Sequence, residues 1–523
     1  SSAVQAPYGV SLLANTSALP VGFALAPVTW LAGPVVATNI ALTLCPALSA
    51  WACWVACRSL VTSRLAAVVA GVLFGYSPFV VTNLAVGHIG LALLVAPPLL
   101  LVGTRRLLFG PSAGRTRWAV AVGALVALQF LISSEILAIV VVVGVPCAAA
   151  AAFAGRQNLA PARELLQGAG VASLVAVLLV AAPVWWFLAG PQHLSGPLWR
   201  NASVQGNPLD AWWNPGRYGA PAEPLVHLGG YEGEEGPPPA YLGPIVLVVC
   251  GAALVAARRR KRAWLLALGA ILATACSLGS LLWVRQGTPE NLWLPWRALV
   301  ALPMLDDVIP QRFSAVTDLC VALLIGIGID AVLHRPAARR RAVGGRTVAA
   351  TLCILASAAS VFSLWSTYQT PFATRAVAAP AWYVHVAPRL PSGTTILSVP
   401  FPFPTDGSSA PMVWQAIDGM RFRLAGGYVK VPGSEGRPLA EGRLSEAYEV
   451  LTRLTSGVEG PLPRDGRREA VALRAVLAQW HVNDVVVASK GRDPSLAVRL
   501  FTRAVGRAPR HELGAWVWRL VRP

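Results

Sequence analysis

Glu135 stands in "QFLISSEILAIVVVV", a carboxylate behind Ser133 and Ser134 in the middle of an apolar run from Trp118 to Phe153. It and His88 are the two side chains here suited to take a proton from a hydroxyl, since a carboxylate or an imidazole within hydrogen-bond reach serves as general base. Arg312, in "IPQRF", and secondarily Arg297 suit an anion, because guanidinium grips phosphate oxygens two at a time. The adjacent Asp306 and Asp307, with Glu232, Glu234 and Glu235, could bind sugar hydroxyls or hold a divalent cation through oxygen ligands. Trp212 and Trp213, in "LDAWWNPGRYG", offer faces on which a sugar ring could stack. Each also has a reading that needs no ligand. Glu135 suits a helix N-terminus and its dipole, His88 an interfacial hydrogen bond, Arg312 a lipid headgroup, the acids a solvated loop, and the tryptophans a membrane-interface belt.

The elements that must position these groups follow from composition. The chain has 523 residues, of which 55% are hydrophobic and 13% charged. That is too apolar for a soluble protein of this length, and the apolar residues come in helix-spanning blocks of roughly 17 to 25 residues. The expected fold class is an α-helical polytopic membrane protein of about ten spans with a C-terminal α/β domain. The eight cysteines all fall in the apolar blocks, so they read as small packing residues and not as disulfides. The net charge of +19 is explained by basic connectors between spans and does not call for nucleic acid as a partner.

The strongest basic clusters are Arg258 to Arg262 and Arg335 with Arg339, Arg340, Arg341 and Arg346. The positive-inside rule puts both in the cytoplasm, with the weaker connectors at Arg58/Arg64, Arg105 to Arg117 and Arg156/Arg163. Spans are then expected at 34–57, 64–82, 88–103, 118–134, 135–153, 168–190, 240–257, 263–283, 313–333 and 347–366. One helix over 118–153 would be about 54 Å long against a hydrocarbon core of about 30 Å, so it must be a hairpin. Its tip is Ser133 to Glu135, on the face opposite the arginines, where a carboxylate escapes the roughly 3 kcal/mol cost of a charge at mid-membrane. The same face collects His88, the loop 191–239 and the loop 284–312. The chain opens "SSAVQAPYGV", which suggests a preceding segment with a further span, and 19–33, broken by Pro20 and Pro27, reads as a kinked segment lying in or re-entering the interface.

Residues 1–366 therefore form the membrane domain, and 367–523 an α/β domain on the outer side of a plasma membrane. In the latter, strand-like runs at 395–399, 484–488 and 515–520 alternate with helical patterns at 411–418, 444–456, 467–480 and 494–505. "RLAGGYVKVPG", from Arg423 to Gly433, reads as structural turns. No phosphate-cradling loop or other compact catalytic motif occurs here.

The order of features resembles the GT-C class of integral-membrane glycosyltransferases, in particular large actinobacterial members with an extracytoplasmic C-terminal domain. The resemblance rests on "PYGVSLLANTSAL…LAPVTWLAGPVVATN", "GVLFGYSPFVVTNLAVGHIGLALLVAPPLLL", "LISSEILAI", "PPPAYLGPIVL" and "LPMLDDVIPQRFSAV". It implies a polyprenyl-phosphate-sugar donor entering from the membrane lipids, an envelope glycan or glycolipid acceptor from the outer side, and a general base in the first outer loop. That loop follows the family's first span, so its acid maps to no residue of this chain. Two other classes stand against this reading: a transporter or lipid-handling protein, whose ionisable groups would sit at membrane depth, and a non-catalytic glycan-binding scaffold.

Overall fold

The structure is a computed structural model, which describes all residues except 16–17, 199–201, 215–238, 285–289, 291, 303, 335–344, 366–373, 375, 403–408, 434–435, 440–445, 456–465, 490–492 and 521–523. Seven helical stretches among the described residues are long and apolar enough to cross a membrane: Pro34–Leu60, Arg64–Ala85, Ile89–Phe109, Arg115–Ile132, Ser134–Ala154, Ala162–Ala189 and Pro310–Leu333. Further helices, Leu19–Ala32, Gly243–Ala257, Lys261–Ser277 and Gly345–Trp365, join them. Every expected span therefore holds helix, with two adjustments. The second and third stretches are each broken, at Tyr76 and Ser77 and at Leu93 to Val95. Pro78 begins the continuation of one, and Pro97 and Pro98 lie in the first turn of the other, where a residue without N–H breaks no helical bond. The helix expected over 263–283 stops at Ser277.

The helix Ser314–Leu333 is the axis of the bundle. Every residue from Ser314 to Ala331 is buried. A helix apolar on all sides must be surrounded, and small residues let its neighbours close in. A Cβ on Gly326 would meet Cys57 Sγ at 2.7 Å, and one on Gly328 would overlap Ala253. The basic connectors meet at one end of this bundle. Asp330 Oδ1 accepts from the backbone N–H of Thr62 and Ser63 at 3.0 and 2.9 Å, while Oδ2 takes Arg260 at 2.7 Å. Lys261 Nζ donates to the Ala154 carbonyl, Arg262 to that of Leu60, and Arg115 pairs with Glu164. The Arg335 to Arg341 cluster lies outside the described residues.

In the C-terminal unit the strands are β1 (Thr395–Val399), β2 (Arg423–Leu424), β3 (Val431–Pro432), β4 (Pro438–Leu439), β5 (Asp484–Ala488), β6 (Arg510–Glu512) and β7 (Ala515–Arg519). Five form one sheet in the order β2-β1-β5-β7-β6, parallel across β2, β1 and β5 and antiparallel beyond. β1 and β5 are buried along their whole length, as central strands covered on both faces must be. Leu397, Val399, Val485 and Val487 pack under the helices Glu446–Thr455, Arg467–Gln479 and Pro494–Val505. Ile396 and Val486 face Trp382, Tyr383, Trp414 and Phe422 on the other side.

The first fifteen residues lie along this sheet's edge. Leu424 N–H donates to the Ala3 carbonyl and Ala6 N–H to that of Leu424, at 2.8 and 2.9 Å. Val4 and Val10 pack on Val429 and Val431. "RLAGGYVKVPG" is thus an edge strand and a turn that grips the chain's own beginning. Gly427 has no room for a side chain because Val4 occupies that space.

Candidate functional site at the bundle end that faces the sheet

The hairpin tip is built by Ser133, whose extended backbone (φ −160°) ends Arg115–Ile132 and whose Oγ accepts from Ile136 N–H at 3.3 Å to cap Ser134–Ala154. Glu135 follows in the first turn, where the helix dipole favours a carboxylate. It does not project into solvent as a loop-tip acid would. Its side chain is 17% exposed, Oε1 accepts from Ile309 N–H at 2.7 Å, and Oε2 pairs with Arg312, itself 13% exposed. The charge is tolerated by neutralisation and not by water, which corrects the expectation drawn from the hairpin geometry.

Arg312 sits in the short turn Pro310–Phe313 that leads into the axial helix. Phe313 is fully buried and meets Trp296 edge-on with ring centroids 5.2 Å apart. Gln311 N–H donates to the Gln205 carbonyl at 3.1 Å, and Asn207 Nδ2 donates to Ser314 Oγ at 3.0 Å. The turn that carries Arg312 is therefore held by the loop after Ala202 and by the packing of Trp296 on Phe313, and its guanidinium is held by Glu135.

Around this pair stand three further ionisable groups. Asp307 lies close enough to act electrostatically on both Glu135 and Lys430. Lys430 is buried at 8% exposure, and burial, with the like charge of Arg312, pushes its ammonium down to about 7 against the opposing pull of Asp307. His88 is half-buried in the turn before Ile89–Phe109, and burial with the Arg312 charge pushes it down to about 4, so its imidazole is neutral at physiological pH. Its Nδ1 lies 3.4 Å from Asn83 Oδ1.

The structure brings Glu135, Arg312, Asp307 and His88 into one neighbourhood. Asp306 is half-buried beside Asp307. Arg297 donates from Nε to the Ser280 carbonyl at 2.7 Å. Trp212 is buried at 7% in the bundle core, and its carbonyl accepts from Leu242 and Gly243 N–H at the start of Gly243–Ala257. Its ring is a packing element, whereas Trp213 is 53% exposed and keeps a face for a ligand. Glu232, with Glu234 and Glu235, lies outside the described residues. Among the described residues no three His, Cys, Asp or Glu side chains converge on a metal position. Lys430 was invisible to sequence reasoning, since a lysine between two valines in a glycine-rich turn carries no mark of its partners.

The family model DUF6311, described as a domain of unknown function, matches residues 2–305. No curated protein matches the chain. Among solved structures, the chain is similar to the cryo-EM structure of arabinofuranosyltransferase AftD from Mycobacteria, with a TM-score of 0.55, 14% identity and 99% of this chain covered. A mutant form of that enzyme matches with a TM-score of 0.49 and 17% identity over 93% of this chain. This chain spans 36% and 33% of the respective chains. The first match shows that the fold is shared.

Proposed function

As the chain belongs to the DUF6311 family, whose description assigns no activity, we propose its function from the site and the shared fold: a membrane glycosyltransferase that uses a polyprenyl-phosphate sugar donor. The observation that carries this reading is the anchored Arg312 guanidinium at the end of an apolar bundle, beside carboxylates and under a docked domain. Transfer from a phospho-sugar needs a cation on the leaving phosphate, groups that hold the sugar hydroxyls, and a base for the acceptor. Arg312 serves the phosphate, and Asp306 and Asp307 serve the sugar hydroxyls. Glu135 is a positioning residue, because both of its carboxylate oxygens are already engaged, one by Ile309 N–H and the other by Arg312. His88, neutral at physiological pH and held at Nδ1 beside Asn83, is the second candidate for taking the acceptor proton. The acceptor is an envelope glycan or glycolipid on the outer face. The donor to offer first is a polyprenyl-phosphate arabinofuranose, because one solved structure that shares this fold is an arabinofuranosyltransferase.

The test is transfer of labelled sugar by the purified full-length protein. Arg312→Ala is expected to lower kcat/KM about 100- to 1000-fold, the range seen on losing one charge-stabilising donor. Glu135→Gln lowers it less and leaves the shape of the pH profile intact, whereas loss of a general base would erase its acid limb. Absence of turnover with every donor, together with substrate flux across liposomes, would instead favour transport. The observation behind that second reading is Asp318, buried within the axial helix, with Oδ2 accepting from Phe79 N–H at 3.4 Å and Oδ1 partnerless among the described residues.

A further inference from the structure

We propose that Lys430, carried by the C-terminal domain, is the second cation of the Arg312 site, so that a prenyl-linked phosphate is held by the bundle on one side and by the docked domain on the other. This rests on the glycosyltransferase reading for the identity of the phosphate, and it adds a residue and a source of specificity that the bundle does not contain.

The geometry is specific to this lysine. Its N–H donates to Asn15 Oδ1 at 2.6 Å and its carbonyl accepts from Asn15 Nδ2 at 3.2 Å, so the backbone is clamped on both sides by one amide side chain. Val429 and Val431, its neighbours, are anchored in the small core with Val4 and Val10. The side chain is thereby turned away from its own sheet, toward the Leu198 carbonyl, to which Nζ donates, and toward Arg312 and Asp307. A solvated surface lysine would leave its ammonium in water. This one is buried with Arg312 and Asp307 around it, a setting in which a phosphate oxygen would meet both cations.

The chemistry has a pH signature. The groups that face Lys430 are Asp307 and Arg312, and behind Arg312 lie Glu135 and His88. With its ammonium pushed down to about 7, Lys430 is charged at pH 6 and largely neutral at pH 8.5. A bound phosphate favours the charged form, so binding takes up a proton and weakens as pH rises through 7.

The experiment measures binding of farnesyl methyl phosphate, a phosphodiester whose single charge does not titrate between pH 5 and 9, to the full-length protein in nanodiscs. Farnesol and inorganic phosphate run beside it, separating the lipid phosphate from the prenyl chain and from a free anion. The wild-type affinity is expected to fall about tenfold from pH 6.5 to 8.5. Lys430→Arg, charged throughout, should bind with the pH 6.5 affinity at both values. Lys430→Met should bind about tenfold more weakly at pH 6.5 with no further fall. Unchanged affinity and slope in Lys430→Met, with Lys430→Arg eluting and melting like wild type, would overturn the role of Lys430 and leave the phosphate-donor reading standing. Failure of the wild type to bind the diester, or equal binding of farnesol, would overturn both.

Discussion

Arg312 and Glu135 are separated by 177 positions and meet in a place where neither would be stable alone. Removing one partner of a buried ion pair strands the other and costs about 3 to 5 kcal/mol, whereas removing both is far milder. Thermal unfolding of Arg312→Met, Glu135→Leu and the double variant should therefore show each single change as more destabilising than the pair, and simple additivity would refute the coupling. His88 makes a second prediction at this scale. Its folded value of about 4 lies below the ordinary 6.5, so the unfolded chain binds the extra proton first. The stability it contributes is complete above pH 6.5 and is lost as pH falls toward 4. His88→Gln should flatten that part of the stability profile, which denaturation at pH 7 and pH 5 will reveal. Both side chains were legible as candidates because each interrupts an apolar block. Their meeting was not, since hydrophobic periodicity carries no distance between helices. Lys430 lacked even that contrast.

At the level of elements, the helices were readable because lipid demands long apolar blocks. The blocks did not reveal which helix is the axis, because lipid-facing and protein-facing apolar residues look alike in composition. Ser314–Leu333 differs by its neighbours: Gly328 touches Ala253, and Gly75 of the adjoining helix touches Pro46 and Ala50 so closely that a methyl group would overlap them. Gly328→Val should lower stability by about 1 to 3 kcal/mol through overpacking, read as a drop in Tm in detergent. Gly144, with open space around its Cα, should accept Ala with no such drop. In the C-terminal unit, β1, β5 and β7 matched the expected runs at 395–399, 484–488 and 515–520 to within a residue. A fully buried strand must be a short block of Val, Ile and Leu, which is a local signature. The two-residue β2 and β3 had no such signature and read only as turns within "RLAGGYVKVPG", and β4 had none either.

Across the whole molecule, the sheet and the bundle are tied by the first fifteen residues and by two bonds from the loop after Ala162–Ala189: Ser195 N–H to the Gly436 carbonyl, and Lys430 to that of Leu198. The change in composition after residue 367 marked a second unit, but nothing in it announced that residues 1–15 complete that unit's edge, because edge pairing uses backbone groups that every residue has. Asn15→Ala removes both bonds of the clamp, each worth about 1 kcal/mol. Hydrogen exchange over 423–431 should accelerate in that variant while the bundle amides stay protected; equal protection would mean the clamp is idle. The edge is completed across 415 positions of chain. On the ribosome, then, residues 1–15 wait without this partner while the membrane helices between them and Lys430 are threaded. A nascent chain arrested before Lys430 emerged would carry the inserted helices with the edge at 423–431 still missing.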